Sequence, residues 1–222
     1  MTRTTALRIG EAAPRSRPGR PSKEEAAETS TRIIDIAAAL FAAQGFAATS
    51  VEQVVAECNA GKDTIYRRFP SKLALFEAVV MRARQRTLDR LEQEIHAAEG
   101  VGDDLTRLKK IARWFLAINL DPQMVAFKRI ALSESVVLGE DRAETFERDT
   151  ITERLISLVA AAQAKGQLRA GDPMFLAGHL LHSIVFGPSN DAMLGRRTYE
   201  VPAAQDAYFE QAWDLFLNGA SV

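Results

Sequence analysis

The chain has 222 residues, of which 47% are apolar and 26% charged, with a formal net charge of −1; that is enough apolar side chain to build a packed core without staples. A single cysteine, Cys58, excludes a disulfide framework and a cysteine zinc cluster within one chain. No run of residues reads as a membrane span and the amino terminus lacks the apolar core of a signal peptide, so a soluble, cytoplasmic protein is expected.

Residues 1–21 hold few large apolar side chains, and Pro14, Pro18, Gly19 and Pro21 are scattered among arginines. Such a segment buries too little surface to offset its ordering entropy, which predicts a disordered basic arm. Charge is uneven along the chain: residues 1–72 hold eleven Lys and Arg against eight Asp and Glu, and the remainder seventeen against twenty-one. Arg17-Pro18-Gly19-Arg20-Pro21 resembles the core by which flexible arms place arginines in the narrow minor groove of A·T-rich DNA. A solvated tail that only adds phosphate attraction fits the same residues.

Ser22-Lys23-Glu24-Glu25 reads as a capping box for a first helix, with Ile33, Ala37 and Leu40, and beside them Ile34, Ala38 and Phe41, as its apolar stripe. Gly45 is the expected left-handed terminator, and Phe46 is placed to fold back on the last turn. Thr49 with Glu52 then reads as a second capping box, followed by Val51, Val54, Val55 and Cys58 at helical spacing. Asn59-Ala60-Gly61 is a turn, and Lys62 to Phe69 is a short helix with Ile65 and Phe69 on one side and Lys62, Tyr66 and Arg67 on the other. Phe41, Phe46, Ile65 and Phe69 are the candidate core of this unit. Pro70 stops that helix and Ser71 caps the next, in which Leu73, Phe76 and Val80 share a face. Helix, three-residue turn and short helix with a basic outer face form the arrangement that lays a helix in the DNA major groove.

Gly61 to Lys72, GKDTIYRRFPSK, resembles the recognition-helix signature of the TetR family of bacterial transcriptional regulators, and IIDIAAALFAAQGF (Ile33 to Phe46) resembles that family's first helix. Asn59 stands where the family usually has glycine. Gly61 stands where a small capping serine is common, so a frayed first turn is expected. The resemblance implies an all-α homodimer: an N-terminal three-helix helix-turn-helix domain (22–72) after the arm (1–21), then a C-terminal helical effector-binding and dimerisation domain (73–222). It implies operator DNA and a small-molecule effector as partners, and no cofactor. Its tyrosine and the lysine after Pro-Ser match Tyr66 and Lys72, which are expected on phosphates together with Arg67 and Arg68. Lys62 and Thr64 come nearest to base edges. Asp63, Thr49, Ser50 and the arm residues Arg17 and Arg20 complete the DNA set.

From Leu73 the fourth helix runs on with Val80, Leu88, Leu91 and Ile95 along one side and Arg82, Arg84, Arg86 and Arg90 on a solvated face, until Gly100 and Gly102 end it. Asp103 or Asp104 caps a helix bearing Leu105, Leu108, Ala112 and Phe115, and Asp121-Pro122 opens another with Met124, Phe127 and Ile130. A long helix is expected from Asp141 to Lys165, closed by Gly166. Asp172-Pro173 starts the next, apolar nearly all round from Phe175 to Phe186 and broken by Gly187-Pro188. The last, Pro202 to Asn218, repeats Phe209, Ala212, Trp213 and Phe216 at helical spacing.

Trp114, Phe115, Met124, Phe127 and Phe146 are the candidate lining of an effector pocket, or else plain core. Phe175 to Phe186 and Phe209 to Leu217 are the candidate four-helix dimer surface, with Leu180 and Phe216 at its centre. His179 and His182 have a metal-compatible spacing but no carboxylate or cysteine to complete a set. Catalytic signatures are absent, so an enzyme is not expected. A DNA-binding repressor released by an apolar effector is the leading reading. A regulator controlled by a protein partner, and a helical enzyme or carrier using the motif as scaffold, are the alternatives.

Overall fold

The computed structural model describes residues 23–58, 61–100, 102–138 and 150–220, and among these the regular structure is helical throughout. Helices α1 (Lys23–Ala48), α2 (Val51–Cys58) and α3 (Lys62–Arg68) form the amino-terminal unit, and α4 (Lys72–Ala97) leads out of it. Helical geometry in α1 breaks at Gly45, where φ 81° and ψ 173° are open essentially to glycine alone. That break returns Phe46 onto Phe41 and Phe76, with ring centroids 5.6 and 5.5 Å away, while Phe41 meets Phe76 edge-on at 5.4 Å.

By length and composition α1 is apolar enough to cross a membrane, contrary to the expectation from sequence. Its stripe is already used within the protein: Ile33, Ala37 and Phe41 are fully buried against Val54, Ile65, Leu75 and Phe76.

Two hydrophobic cores divide the chain, and α4 belongs to both. Helix α4 gives Leu75, Phe76 and Val79 to the amino-terminal core and Leu91 to the carboxyl-terminal one. Its inner face is therefore rotated from the expected one, with Leu73 and Val80 only half-buried. Helix α6 (Pro122–Leu138) lies against α1 and inserts Phe127 and Ile130 into the amino-terminal core.

The carboxyl-terminal core is built from α5 (Asp104–Asn119), α7 (Thr150–Ala164), α8 (Pro173–Leu180) and α10 (Pro202–Ala220), with Leu108, Ile111, Leu155, Val159, Leu180 and Phe209 at its centre. The caps follow the local sequence. Asp103 accepts from Thr106 N at 2.8 Å, Asp121 from Met124 N at 3.1 Å and Asp172 from Met174 N at 3.0 Å. Helix α7 is described from Thr150, and residues 141–149 of the expected long helix lie outside the described residues.

Gly187-Pro188 does not end the helical run. A π-helical turn (Leu181–Phe186) follows α8 and passes directly into α9 (Gly187–Met193), where Pro188 occupies the first turn, a position that tolerates a missing amide donor. Leu180, Leu181, Ile184 and Val185 are buried, whereas Met174 and Phe175 are each 64% exposed and Leu215 on α10 is 73% exposed. Leu180 and Phe216 thus belong to the protomer's own core, and the free apolar surface on these helices is carried by their neighbours.

Candidate nucleic-acid interface

Helix α2 starts one residue later than Thr49 and Glu52 suggest. Thr49 is buried, and its hydroxyl donates to Gly45 O at 2.8 Å, closing the end of α1 instead of opening α2. The reciprocal box is made by Ser50 and Gln53: Gln53 N donates to Ser50 Oγ at 3.1 Å, and Ser50 N to Gln53 Oε1 at 2.7 Å. Glu52, freed from capping, leans across to α3. Its Oε1 accepts from Tyr66 Oη at 2.7 Å and lies 3.3 Å from Lys62 Nζ.

Gly61 supplies no side-chain cap to α3, as expected, but its carbonyl accepts from Thr64 N at 2.9 Å and opens the helix. Ile65 is fully buried and Phe69 nearly so, which anchors α3 through two side chains. Lys62, Asp63, Arg67 and Arg68 are exposed, and Thr64 and Tyr66 half-buried. The opposite faces of this short helix are therefore set by Ile65 alone within it and Phe69 just past its end.

Some of the cations expected on phosphates also serve the fold. Lys72 Nζ donates to Phe46 O at 2.9 Å and lies 4.4 Å from the centre of the Phe46 ring, so it finishes the carboxyl end of α1. Arg68 donates to Ala26 O at 2.6 Å, pinning α3 to the start of α1. Arg32 reaches Cys58 O at 3.0 Å at the end of α2. Burial pushes the Cys58 thiol up, which keeps it protonated at neutral pH.

On the outer side of α4, Arg82 and Arg86 are not simply solvated. Both bind Asp35 of α1, and the Arg82 hydrogen bond is the chief influence holding that carboxyl below its ordinary range. A depression of about 580 Å³ runs along α1 beside this cluster, from Ala27 past Arg32 to Ala39. It belongs to the amino-terminal unit and not to the helices expected to hold an effector.

Of the candidate effector residues, Trp114 and Phe115 come together edge-on at 5.3 Å, with Phe115 buried in the carboxyl-terminal core. Phe127 stands apart from them in the amino-terminal core because α6 turns that face toward α1. Met124 is half-buried on the first turn of α6, and Phe146, Arg17 and Arg20 lie outside the described residues.

Sequence reading passed over Lys128, whose neighbours come from other helices. Its ammonium is set between Asn119 Oδ1 at the end of α5 and Ser189 Oγ of α9, the latter at 2.9 Å, and burial lowers its pKa to about 8. Arg129 beside it donates to Ala192 O and Met193 O, both at 2.6 Å. Helix α6 is therefore tied to α9 on one side and packed into the amino-terminal core on the other. No group of three or more metal-ligating side chains occurs among the described residues.

Comparison with known proteins places both halves. The family model described as bacterial regulatory proteins, tetR family, matches residues 33–79, and that of the AefR-like transcriptional repressor, C-terminal domain, matches residues 106–219. The HTH-type transcriptional regulator UidR of Escherichia coli (strain K12) is 25% identical over 174 residues, covering 73% of this chain and 81% of UidR. A TetR-family transcriptional regulator from Mesorhizobium loti has the same fold, with a TM-score of 0.73 at 24% identity over 89% of this chain and 98% of that one. The flavonoid-responsive regulator FrrA superposes with a TM-score of 0.61 at 26% identity, over 88% of this chain and 98% of FrrA.

Proposed function

The chain belongs to the TetR family of bacterial regulatory proteins and is a DNA-binding transcriptional regulator, and on that premise we propose that it represses from a near-palindromic operator as a homodimer released by a small molecule. The single observation that carries the DNA reading is α3: seven residues held by buried Ile65 and its neighbour Phe69, with Lys62, Tyr66 and Arg67 on the accessible side. Lys62, expected nearest a base edge, shares the Glu52 carboxylate with Tyr66, so in this reading it meets a phosphate together with Ser50, Tyr66, Arg67, Arg68 and Lys72, and Thr64 is left nearest to base edges. The Lys72 and Arg68 contacts within the fold place their charges near the ends of α1 and α3, where they attract the backbone without aiming at one base. The regulator works where the chromosome is, in the cytoplasm.

Exposed Met174, Phe175 and Leu215 on α8 and α10 support a two-fold interface formed by those helices. Two readers so joined would meet successive major grooves about 34–36 Å apart. The response to a small molecule is supported by the kinship with FrrA, named as flavonoid-responsive, by α4, which enters both cores, and by α6, which packs into the amino-terminal core and is hydrogen-bonded to α9. An effector must bind the DNA-competent and incompetent forms unequally to have any effect. Trp114, Phe115 and Met124 are the first places to seek it.

The test is selection of DNA fragments from the source genome by the purified protein, followed by competition with candidate metabolites. Recovery of fragments sharing a near-palindrome, bound with a steep salt dependence, is the expected result. Recovery of no preferred fragment at any salt concentration would remove the reading. An effector that releases the fragment must itself bind more weakly in the presence of the duplex, by the same factor.

A further inference from the structure

We propose that the Glu52 carboxylate is an intramolecular stand-in for a DNA phosphate, holding the Tyr66 hydroxyl and the Lys62 ammonium until a duplex displaces it. The proposal rests on the reading of α3 as the DNA-facing helix. One carboxylate oxygen serves both groups, at 2.7 Å from Tyr66 Oη and 3.3 Å from Lys62 Nζ, and Lys62 Nζ is 5.5 Å from the centre of the Tyr66 ring. A phenol has one proton to donate. While Tyr66 gives it to Glu52 it has none for a phosphate, so grip on the backbone requires the carboxylate to let go. The ammonium has three protons and can pass from one anion to the other without losing all its partners.

The contact is not needed to build the fold. Helix α2 is capped by Ser50 and Gln53 and buries Val51, Val54 and Cys58 on the side away from Glu52. The Lys62 and Glu52 side chains are 61% and 58% exposed, and an ion pair so open to water is held weakly. Its geometry is that of a phosphate contact made early: an anion at hydrogen-bond distance from the two residues that the helix presents. The Tyr66 hydrogen bond keeps the Glu52 carboxyl below its ordinary value, so it carries its charge at neutral pH.

Two consequences follow for binding. Tyr66 and Lys62 are already oriented toward an anion before DNA arrives, which lowers the ordering cost of contact. The same carboxylate opposes every phosphate that approaches, whatever the sequence, so it lowers affinity for all duplexes alike. Discrimination between sites is left to base edges. Such a residue limits the time the regulator spends on non-specific DNA, which offers vastly more competing sites than the operator does.

The experiment compares the full chain with its Glu52→Gln variant on a random-sequence duplex and on a duplex recovered from the source genome by the unsubstituted protein, over a range of salt. Glutamine keeps the shape and an acceptor for Tyr66 but not the charge. Binding of Glu52→Gln to both duplexes should tighten by the same factor, about two- to fivefold at low salt. The logarithmic salt slope should steepen by about 0.9, the increment for one further phosphate neutralised by a released lysine. Glu52→Ala should change both quantities in the same direction, and the gain should shrink in a Tyr66→Phe background.

Unchanged or weaker binding by both Glu52 variants, with thermal melting intact, would overturn the proposal while leaving α3 as the reader. A gain confined to the genomic duplex would also overturn it, since Glu52 would then be discriminating between bases. Failure of the unsubstituted chain to bind any duplex in a salt-dependent way would remove the reading of α3 itself, and the proposal with it.

Discussion

Asp35 on α1 and Arg82 on α4 form a two-pronged ion pair, Arg82 Nε to Asp35 Oδ1 at 2.8 Å and Arg82 Nη2 to Asp35 Oδ2 at 3.2 Å, and Arg86 adds a third hydrogen bond at 2.9 Å. These contacts lock the helix that backs the DNA reader to the helix that leaves for the carboxyl-terminal half. The folded carboxyl titrates below its ordinary value of 3.8, chiefly through the Arg82 hydrogen bond, so its contribution is present above that value and is lost as pH falls through the folded one. Asp35→Asn should therefore destabilise at neutral pH. The side chain is more than a third exposed, and solvent screening keeps the loss to about 1 kcal/mol. The two proteins' unfolding free energies should converge only as pH falls below 3.8 and through the lower folded value, which urea titrations over pH would reveal.

Gly45 supplies a backbone turn that no other residue takes without strain. An added Cβ would meet nothing within 4 Å, so crowding plays no part in the cost of Gly45→Ala; the φ of 81° does. A loss of about 1–3 kcal/mol in unfolding free energy is expected. DNA affinity should fall with it, because the same turn returns Phe46 to Phe41 and sets the carbonyl that Lys72 holds. Retained melting temperature in Gly45→Ala would show that the turn relaxes.

Lys128 tests the energetics of α6. Its folded pKa of about 8 lies below the ordinary 10.5, so the folded state binds fewer protons than the unfolded one between these values, and stability should rise with pH across that window. Lys128→Met removes the cost of burying the charge but also the hydrogen bonds to Asn119 and Ser189. A net gain of about 1–2 kcal/mol at pH 7 is expected, shrinking as pH rises from about 8 toward 10.5. Denaturant unfolding of both proteins at pH 7 and pH 10 measures the difference.

The dimer surface proposed on α8 and α10 is tested at Phe175 and Leu215, which are exposed in the single chain, and not at Leu180 or Phe216, whose substitution would unfold the protomer. Phe175→Glu combined with Leu215→Glu should halve the mass found by light scattering at low micromolar concentration. The helical content should stay unchanged, and affinity for a full operator should fall by at least tenfold. A variant that remains dimeric would place the interface elsewhere.

Local chemistry along the sequence was enough to locate most helix starts and stops, because a cap needs only its own next few residues. Ser71 accepts from Ala74 N at 3.0 Å, and Asp103, Asp121 and Asp172 cap as their positions suggest. The Phe209, Ala212, Trp213, Phe216 stripe of α10 was likewise legible, since one face of that helix meets one core. The DNA-reading unit was recognisable for a related reason: its motif is short, contiguous and carried by residues that touch one another. Tertiary structure alone decided the choices between nearly equivalent neighbours. Thr49 lost the cap to Ser50 once its hydroxyl was buried at the end of α1, and that loss left Glu52 free to reach Tyr66. In α4 the buried face passes through Leu75 and Val79, and not Leu73 and Val80, because a run apolar on two sides has no inner face until a partner covers one. Phe127 went to the amino-terminal core and Phe115 to the carboxyl-terminal one, although both read alike as aromatic residues on a stripe. The burial of Lys128 needed α5 and α9 around it, the latter from some sixty residues further on. Helical periodicity tells which residues share a face, but which face is covered, and by what, depends on packing between segments that sequence distance does not encode.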